Sequence, residues 1–136
     1  MALKILCAFK TEEIFDFVKS ALHNFECELI KSTSESLALF LAQKNFPCLI
    51  ISENELHGGS GLNLLGEVKA QADLASIPFV FLMPRPDSTC ADLPKTDLPP
   101  GAELIMWYPI ETHEFLKTIS KFLQEKDDPR DPETPE

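Results

Sequence analysis

The sequence predicts an α/β fold, a doubly wound open sheet of parallel strands in a single domain. Three observations carry that expectation. Short continuous apolar runs alternate with longer stretches whose apolar residues recur every three or four positions, the pattern of buried strands interleaved with amphipathic helices. Strands joined by helical crossovers lie parallel, and right-handed crossovers place helices on both faces of the sheet. The chain has 136 residues, 44% hydrophobic and 25% charged, enough for one buried core without disulfides or metals.

Leu3 to Phe9 is a short apolar run, a first strand. Thr11 precedes Glu12 and Glu13, and acids in a first turn favour a helix N-terminus. Ile14, Phe17, Val18, Ala21 and Leu22 then mark one helical face. Cys27 to Lys31 alternates weakly, as suits a second strand nearer the sheet edge. Ser34 caps a second helix carrying Leu37, Ala38, Leu41 and Ala42. Pro47 ends that helix region and leads into the apolar run Cys48 to Ile51, the third strand. A loop with Gly58, Gly59 and Gly61 precedes a third helix with Leu62, Leu64, Leu65 and Val68, running to about Ala72. Ile77 to Met83 is the fourth strand, and Leu104 to Trp107 the fifth, ending at Tyr108-Pro109. The last helix begins near Glu111 and carries Phe115, Leu116, Ile119, Phe122 and Leu123.

Two segments break the alternation. Between Met83 and Gly101, five prolines (Pro84, Pro86, Pro94, Pro99, Pro100) leave Leu93 and Leu98 as the large apolar residues. Proline costs about 3 kcal/mol inside a helix, so the fourth helix is expected to be shortened or irregular. Asp127 to Glu136 has three prolines and no apolar residue, and is expected to be a disordered tail or linker after a domain spanning 1–126.

The formal charge is −10, from 22 acids and 12 bases. Residues 127–136 hold five acids and one base, a net −4, so the domain itself carries −6. An acidic surface argues against nucleic acid and against an anionic membrane as partners. No run approaches the ~18 apolar residues of a membrane-spanning helix. The apolar stretch at the N-terminus is too short for a signal peptide, so a cytoplasmic location is expected. Cys7, Cys27, Cys48 and Cys90 stand singly with no C-x-x-C spacing, which suits neither zinc nor a disulfide framework.

A resemblance emerges from several stretches taken together. Lys4-Ile5-Leu6, followed by Glu13-Ile14 and Ala21-Leu22, resembles the opening of a response-regulator receiver domain. Pro47 to Glu53 and then Leu56-His57-Gly58-Gly59-Ser60-Gly61-Leu62 resemble that family's third strand and its loop. Ile77-Pro78 with Phe79 to Leu82, and Gly101-Ala102 to Tyr108-Pro109, resemble its fourth and fifth strands. The resemblance spans residues 3–124 and implies a flavodoxin-like (CheY-like) sheet of five strands in the order 2-1-3-4-5.

It also implies where chemistry would be found. In the family an acidic pair after strand one holds Mg²⁺, an aspartate ending strand three accepts a phosphoryl group, and a hydroxyl and a lysine ending strands four and five bind its oxygens. In this sequence the acidic pair falls on Phe9 and Lys10, and the acceptor on Glu53. The hydroxyl position falls on Met83, the lysine position on Tyr108, and the switch aromatic on Ile105. The resemblance is therefore to a degenerate receiver, a pseudo-receiver. Lys10 replaces attraction for a dication by repulsion: a unit pair ~4 Å apart at an effective dielectric of ~20 interacts by roughly 4 kcal/mol, and a dication by about twice that. Glu53 is one methylene longer than aspartate, and ~1 Å of misplacement can cost ~100-fold in rate. Lys10 and Glu53 would face each other there, and the ammonium either stands in for the cation and pairs with the carboxylate or turns out to solvent, as long lysine side chains readily do.

Other features yield less. Gly58-Gly59-Ser60-Gly61 lacks the Lys-Ser/Thr of a P-loop and the spacing of a dinucleotide fingerprint, so a structural strand-to-helix loop is the simpler account. His23, His57 and His113 lie on separate elements without metal spacing. Ser52 with His57 makes no G-x-S-x-G elbow. The expected function is thus a phosphorylation-independent protein-interaction module of bacterial-type signalling, not an enzyme, needing no cofactor and no Mg²⁺. The partner is a signalling protein or a second copy, meeting Trp107, Tyr108, Pro109 and the last helix. Two rival readings are a phosphoacceptor with an atypical site and a small flavodoxin-like enzyme or nucleotide binder using the 58–61 loop.

Overall fold

The computed structural model describes residues 3–23, 27–84, 101–108 and 110–127. The elements run β1 (Leu3–Ala8), α1 (Glu12–Ala21), β2 (Cys27–Ser32), α2 (Glu35–Asn45), β3 (Leu49–Ser52), β4 (Glu55–Leu56), β5 (Gly59–Ser60), α3 (Gly61–Ala70), β6 (Phe79–Pro84), β7 (Leu104–Tyr108) and α4 (Thr112–Asp127). Five strands form one parallel sheet in the order β2-β1-β3-β6-β7. With β6 and β7 as the fourth and fifth long strands, this is the 2-1-3-4-5 order expected from the sequence.

Alternation along the central strands divides the core between the two faces of the sheet. Ile5, Cys7, Leu49, Ile51, Val80 and Leu82 face α1 and α4, where Ile14, Val18, Phe115 and Ile119 cover them. Leu6, Ala8, Ile50, Phe79 and Phe81 face α2 and α3, where Ala38, Ala42, Leu64, Leu65 and Val68 cover them. Two-sided burial explains why β1 from Ile5 onward, β3 up to Ile51 and β6 read as unbroken apolar runs. Each fully buried leucine, isoleucine or phenylalanine contributes about 1.5–3 kcal/mol.

The helix boundaries have local causes. The Ser34 hydroxyl caps α2 by accepting from the Leu37 N–H at 3.2 Å, and Ser60 caps α3 from Asn63 N–H at 3.0 Å. Phe46 ends α2 in the left-handed region (φ 48), its N–H donating to Ala42 O. The β4–β5 hairpin corrects the plain loop expected after β3. Gly58, at φ +73, lets a two-residue turn close it, and a turn that short needs positive φ. The hairpin is also tied sideways, His57 N–H donating to Thr33 O and Glu35 N–H to His57 O. The expected irregular fourth helix lies among residues 85–100, outside the described residues. So does the tail from 128 onward; α4 reaches Asp127, the first residue assigned to it. Among the described residues no helix is long and apolar enough to cross a membrane.

Candidate functional site

The strand order reverses between β1 and β3, and in open α/β sheets ligands meet the carboxyl ends of strands at such a switch point. Glu53 stands there, immediately after β3, with its backbone N–H donating to Ala8 O at 3.0 Å. Its side chain is 3% exposed. One carboxylate oxygen, Oε1, accepts from the Thr11 backbone N–H at 2.7 Å, and Oε2 accepts from the Thr11 hydroxyl at 3.1 Å. Thr11 is the N-cap of α1 and makes no side-chain cap to its own helix. Glu53 thus supplies, from another strand, the negative charge that a helix N-terminus favours.

Of the two arrangements left open for Lys10, the ion pair with Glu53 is not the one that forms. Lys10 is exposed, and among the described residues the one ion pair within 4.0 Å joins Lys31 Nζ to Glu12 Oε2. The physical reason is desolvation. Burying an ammonium beside the carboxylate costs several kcal/mol, whereas the donors of Thr11 are already desolvated by the fold. Thr11 is the candidate-site residue that the sequence did not point to. The sequence held no signal for it, since a threonine before Glu12 and Glu13 reads as an ordinary helix cap.

The remaining positions turn away from Glu53. Phe9 is buried in the core under α1 and α4, its N–H donating to Ser32 O. Met83 and Ile105 are half-buried and pack toward the α2–α3 face. Tyr108 ends β7 beside Pro84 and leans on α1: its hydroxyl donates to Glu13 Oε2 at 3.0 Å, and its ring meets Phe17 edge-on at 5.4 Å. Desolvation first, then the bond and the charge of Glu13, push its phenol above the usual tyrosine range. Trp107 is half-buried on β7, and Pro109 lies outside the described residues.

Gly61 closes the floor of the site. A Cβ there would run into Glu53 O, with Ser52 Oγ at 2.8 Å and Phe81 Cε1 at 2.9 Å. The amide groups of the glycine loop are already engaged: Gly61 N–H donates to Asn54 O, Leu62 N–H to Asn54 Oδ1, and Ser60 N–H to Glu35 Oε1. Backbone donors that would cradle a phosphate are therefore occupied by the chain itself. Ser52 is buried and donates to Glu53 O, while His57 is exposed, so the two form no catalytic pair. Burial raises the thiols of Cys7 and Cys27 above the usual range, which holds them in the poorly nucleophilic protonated form. Among the described residues no three His, Cys, Asp or Glu side chains are grouped to hold a metal ion.

No family model matches the chain, and no curated protein matches it. Solved structures do. The chain is similar to chemotaxis response regulator CheY4 of Vibrio cholerae, with 22% identity, a TM-score of 0.75, and 90% of this chain and 99% of that one covered. It is equally similar to a response regulator receiver domain protein from Clostridium thermocellum (18% identity, TM-score 0.73, 94% and 99% covered). The chain has the receiver fold. A third such structure is the receiver domain of a sensor histidine kinase from Pseudomonas aeruginosa PAO1, with a magnesium ion coordinated in its active site cleft (14% identity, TM-score 0.76, 91% and 99% covered). Within this receiver fold the crevice holds a glutamate bonded to a threonine.

Proposed function

We propose that this chain is a pseudo-receiver, a signalling interaction module that works without aspartyl phosphorylation. The observation that carries the reading is the buried Glu53 carboxylate, both of whose oxygens accept from Thr11. Mg²⁺ demands a near-octahedral set of oxygen ligands. The crevice offers one carboxylate, already engaged, between a core phenylalanine at position 9 and an exposed lysine at position 10. These residues do not fit the ion. A phosphoryl group on Glu53 would displace both Thr11 donors, Met83 has no hydrogen to offer its oxygens, and the Tyr108 hydroxyl is committed to Glu13.

With no chemistry at the crevice, contact remains as the output. Tyr108, half-buried at the end of β7, packs on the face that α1 and α4 cover, and α4 exposes His113, Lys117 and Lys121. Trp107, one residue earlier on the strand, points to the opposite face. Aromatic groups flanked by polar ones suit a partner surface for a signalling protein or a second copy. The signalling setting is supported by similarity to structures described as response regulators and receiver domains. The decisive experiment melts the protein with Mg²⁺ and beryllofluoride, and measures its intact mass after incubation with acetyl phosphate and Mg²⁺. The expected result is an unchanged Tm and no phosphoryl adduct. A Mg²⁺-dependent rise in Tm, or an adduct on Glu53, refutes the reading and restores the phosphoacceptor.

A further inference from the structure

Strand β2 ends the sheet, and no described strand pairs with its outer side. Ser32 O accepts from Phe9 N–H, so Ser32 turns its backbone groups toward β1. Alternation gives Glu28 and Ile30 the same direction and leaves the backbone groups of Cys27, Leu29 and Lys31 on the open edge. Such a row of donors and acceptors is a template for another strand, and proteins commonly block it with a lysine. Here the lysine is drawn away from the edge. Lys31 Nζ bonds Glu12 Oε2 at 2.6 Å and lies 4.9 Å from the centroid of the Phe15 ring, both on α1.

Helix α1 and the turn that ends it carry a charged stripe beside this edge. Glu12, Asp16, Lys19 and His23 are exposed. At about 100° per residue they fall within roughly 60° of one another around the helix. Glu12 reaches Lys31 toward the end of β2, while Lys19 and His23 line one groove with Cys27 and Leu29 toward its start. The stripe is therefore acidic in its first half and basic in its second. Asp16 and Lys19 take part in no ion pair among the described residues.

Both features complement themselves, and in the same orientation. A twofold axis through Leu29, perpendicular to the sheet, sets β2 antiparallel to its own copy. Leu29 then faces Leu29, and Cys27 faces Lys31 on either side, so all three outward residues form hydrogen-bonded pairs. The same axis lays the two α1 helices antiparallel on one face. Each is the crossover above β1 and β2, so they lie two strand spacings apart, ~10 Å, a helix-packing distance. The acidic half of one stripe meets the basic half of the other, Asp16 against Lys19 and Glu12 against His23. A parallel alignment would set acid against acid.

We propose that two copies of this chain join edge to edge through β2, making one continuous sheet with α1 packed on α1. The surface lies at the opposite end of the sheet from β7, so it stands or falls independently of the β7–α4 surface.

The test is sedimentation velocity of the full chain over a hundredfold range of concentration, in ~0.1 M salt so that charges within ~10 Å still interact. The chain is expected to pass from monomer to dimer as concentration rises. Asp16→Lys and Lys19→Glu each weaken the dimer at least tenfold by setting like charges face to face. Mixing the two variants restores it, because every facing pair again joins acid to base. Both positions are exposed, and thermal melts check that the variants fold. Amide exchange over residues 27–31 slows at high concentration. A monomer throughout, a dimer indifferent to Asp16→Lys, or a mixture of variants that fails to pair overturns the proposal. So does exchange over 27–31 that ignores concentration, or a dimer that Lys121→Glu dissolves, since the contact then belongs to α4.

Discussion

Replacing Thr11 with valine keeps the branched shape and removes the hydroxyl that donates to Glu53 Oε2 at 3.1 Å. The backbone donor to Oε1 at 2.7 Å is retained. Hydrogen bonds to charged groups are worth about 1.5–3 kcal/mol, and a buried acceptor left short of a partner carries a desolvation penalty. The bond is long for one to a carboxylate and Thr11 is half-buried, so the lower end applies, about 1.5 kcal/mol. No loss of helix capping adds to this, because the Thr11 side chain caps nothing in α1. With an m-value of about 1.5 kcal/mol per molar urea, the midpoint falls by about 1 M at unchanged slope. In a thermal melt the same change lowers Tm by about 6 °C for a domain of this size. The companion variant is Lys10→Met, which at an exposed position should stay within about 0.5 kcal/mol of the parent. The reverse ranking, a silent Thr11→Val and a costly Lys10→Met, would refute the reasoning and return the ion pair to the crevice.

Three further outcomes follow from the packing. Gly61→Ala should destabilise by about 1–3 kcal/mol through overpacking against Ser52 and Phe81, although helix propensity alone favours alanine; a gain in urea resistance would show that the floor gives way. Lys69→Met should cost about 1–2 kcal/mol in chemical denaturation, because Lys69 Nζ donates to Ala75 O at 2.9 Å and Ile77 O at 2.8 Å in the turn before β6. Glu67, hydrogen-bonded to Glu35 and repelled by its charge, has its carboxyl raised above the ordinary 4.5. A raised folded pKa means the shared proton stabilises the fold below about pH 4.5, and that contribution is lost as pH rises through the folded value. Glu67→Gln should therefore raise Tm slightly at pH 7, by a few tenths of a kcal/mol at so exposed a site, and leave it unchanged at pH 4. Equal effects at both pH values would remove the repulsion from the account.

The long elements were legible because each rests on a repeating local signal. Unbroken apolar runs at Leu49 to Ile51 and Phe79 to Leu82 reflect burial on both faces of the sheet, and the spacing of Ile14, Val18 and Ala21 reflects one face of a helix. The β4–β5 hairpin was not legible, since two-residue strands are too short for any period, and only Gly58 marked it. The five positions proposed for the crevice could be named from the chain, but not what their side chains would touch. Glu53 and Thr11 stand 42 residues apart, and Tyr108 and Glu13 stand 95 apart.

Taken alone, the sequence determined the α/β class and the order of the long elements, and it named Phe9, Lys10, Glu53, Met83 and Tyr108 as the positions we propose for the crevice. Those properties belong to single residues or to short repeats. Tertiary structure decided which donor reached Glu53 and that Tyr108 bonds to α1. Each of these is a competition between groups distant in the chain. A backbone N–H fixed by a helix outcompetes a lysine that must give up water, and only the folded geometry brings the contestants together.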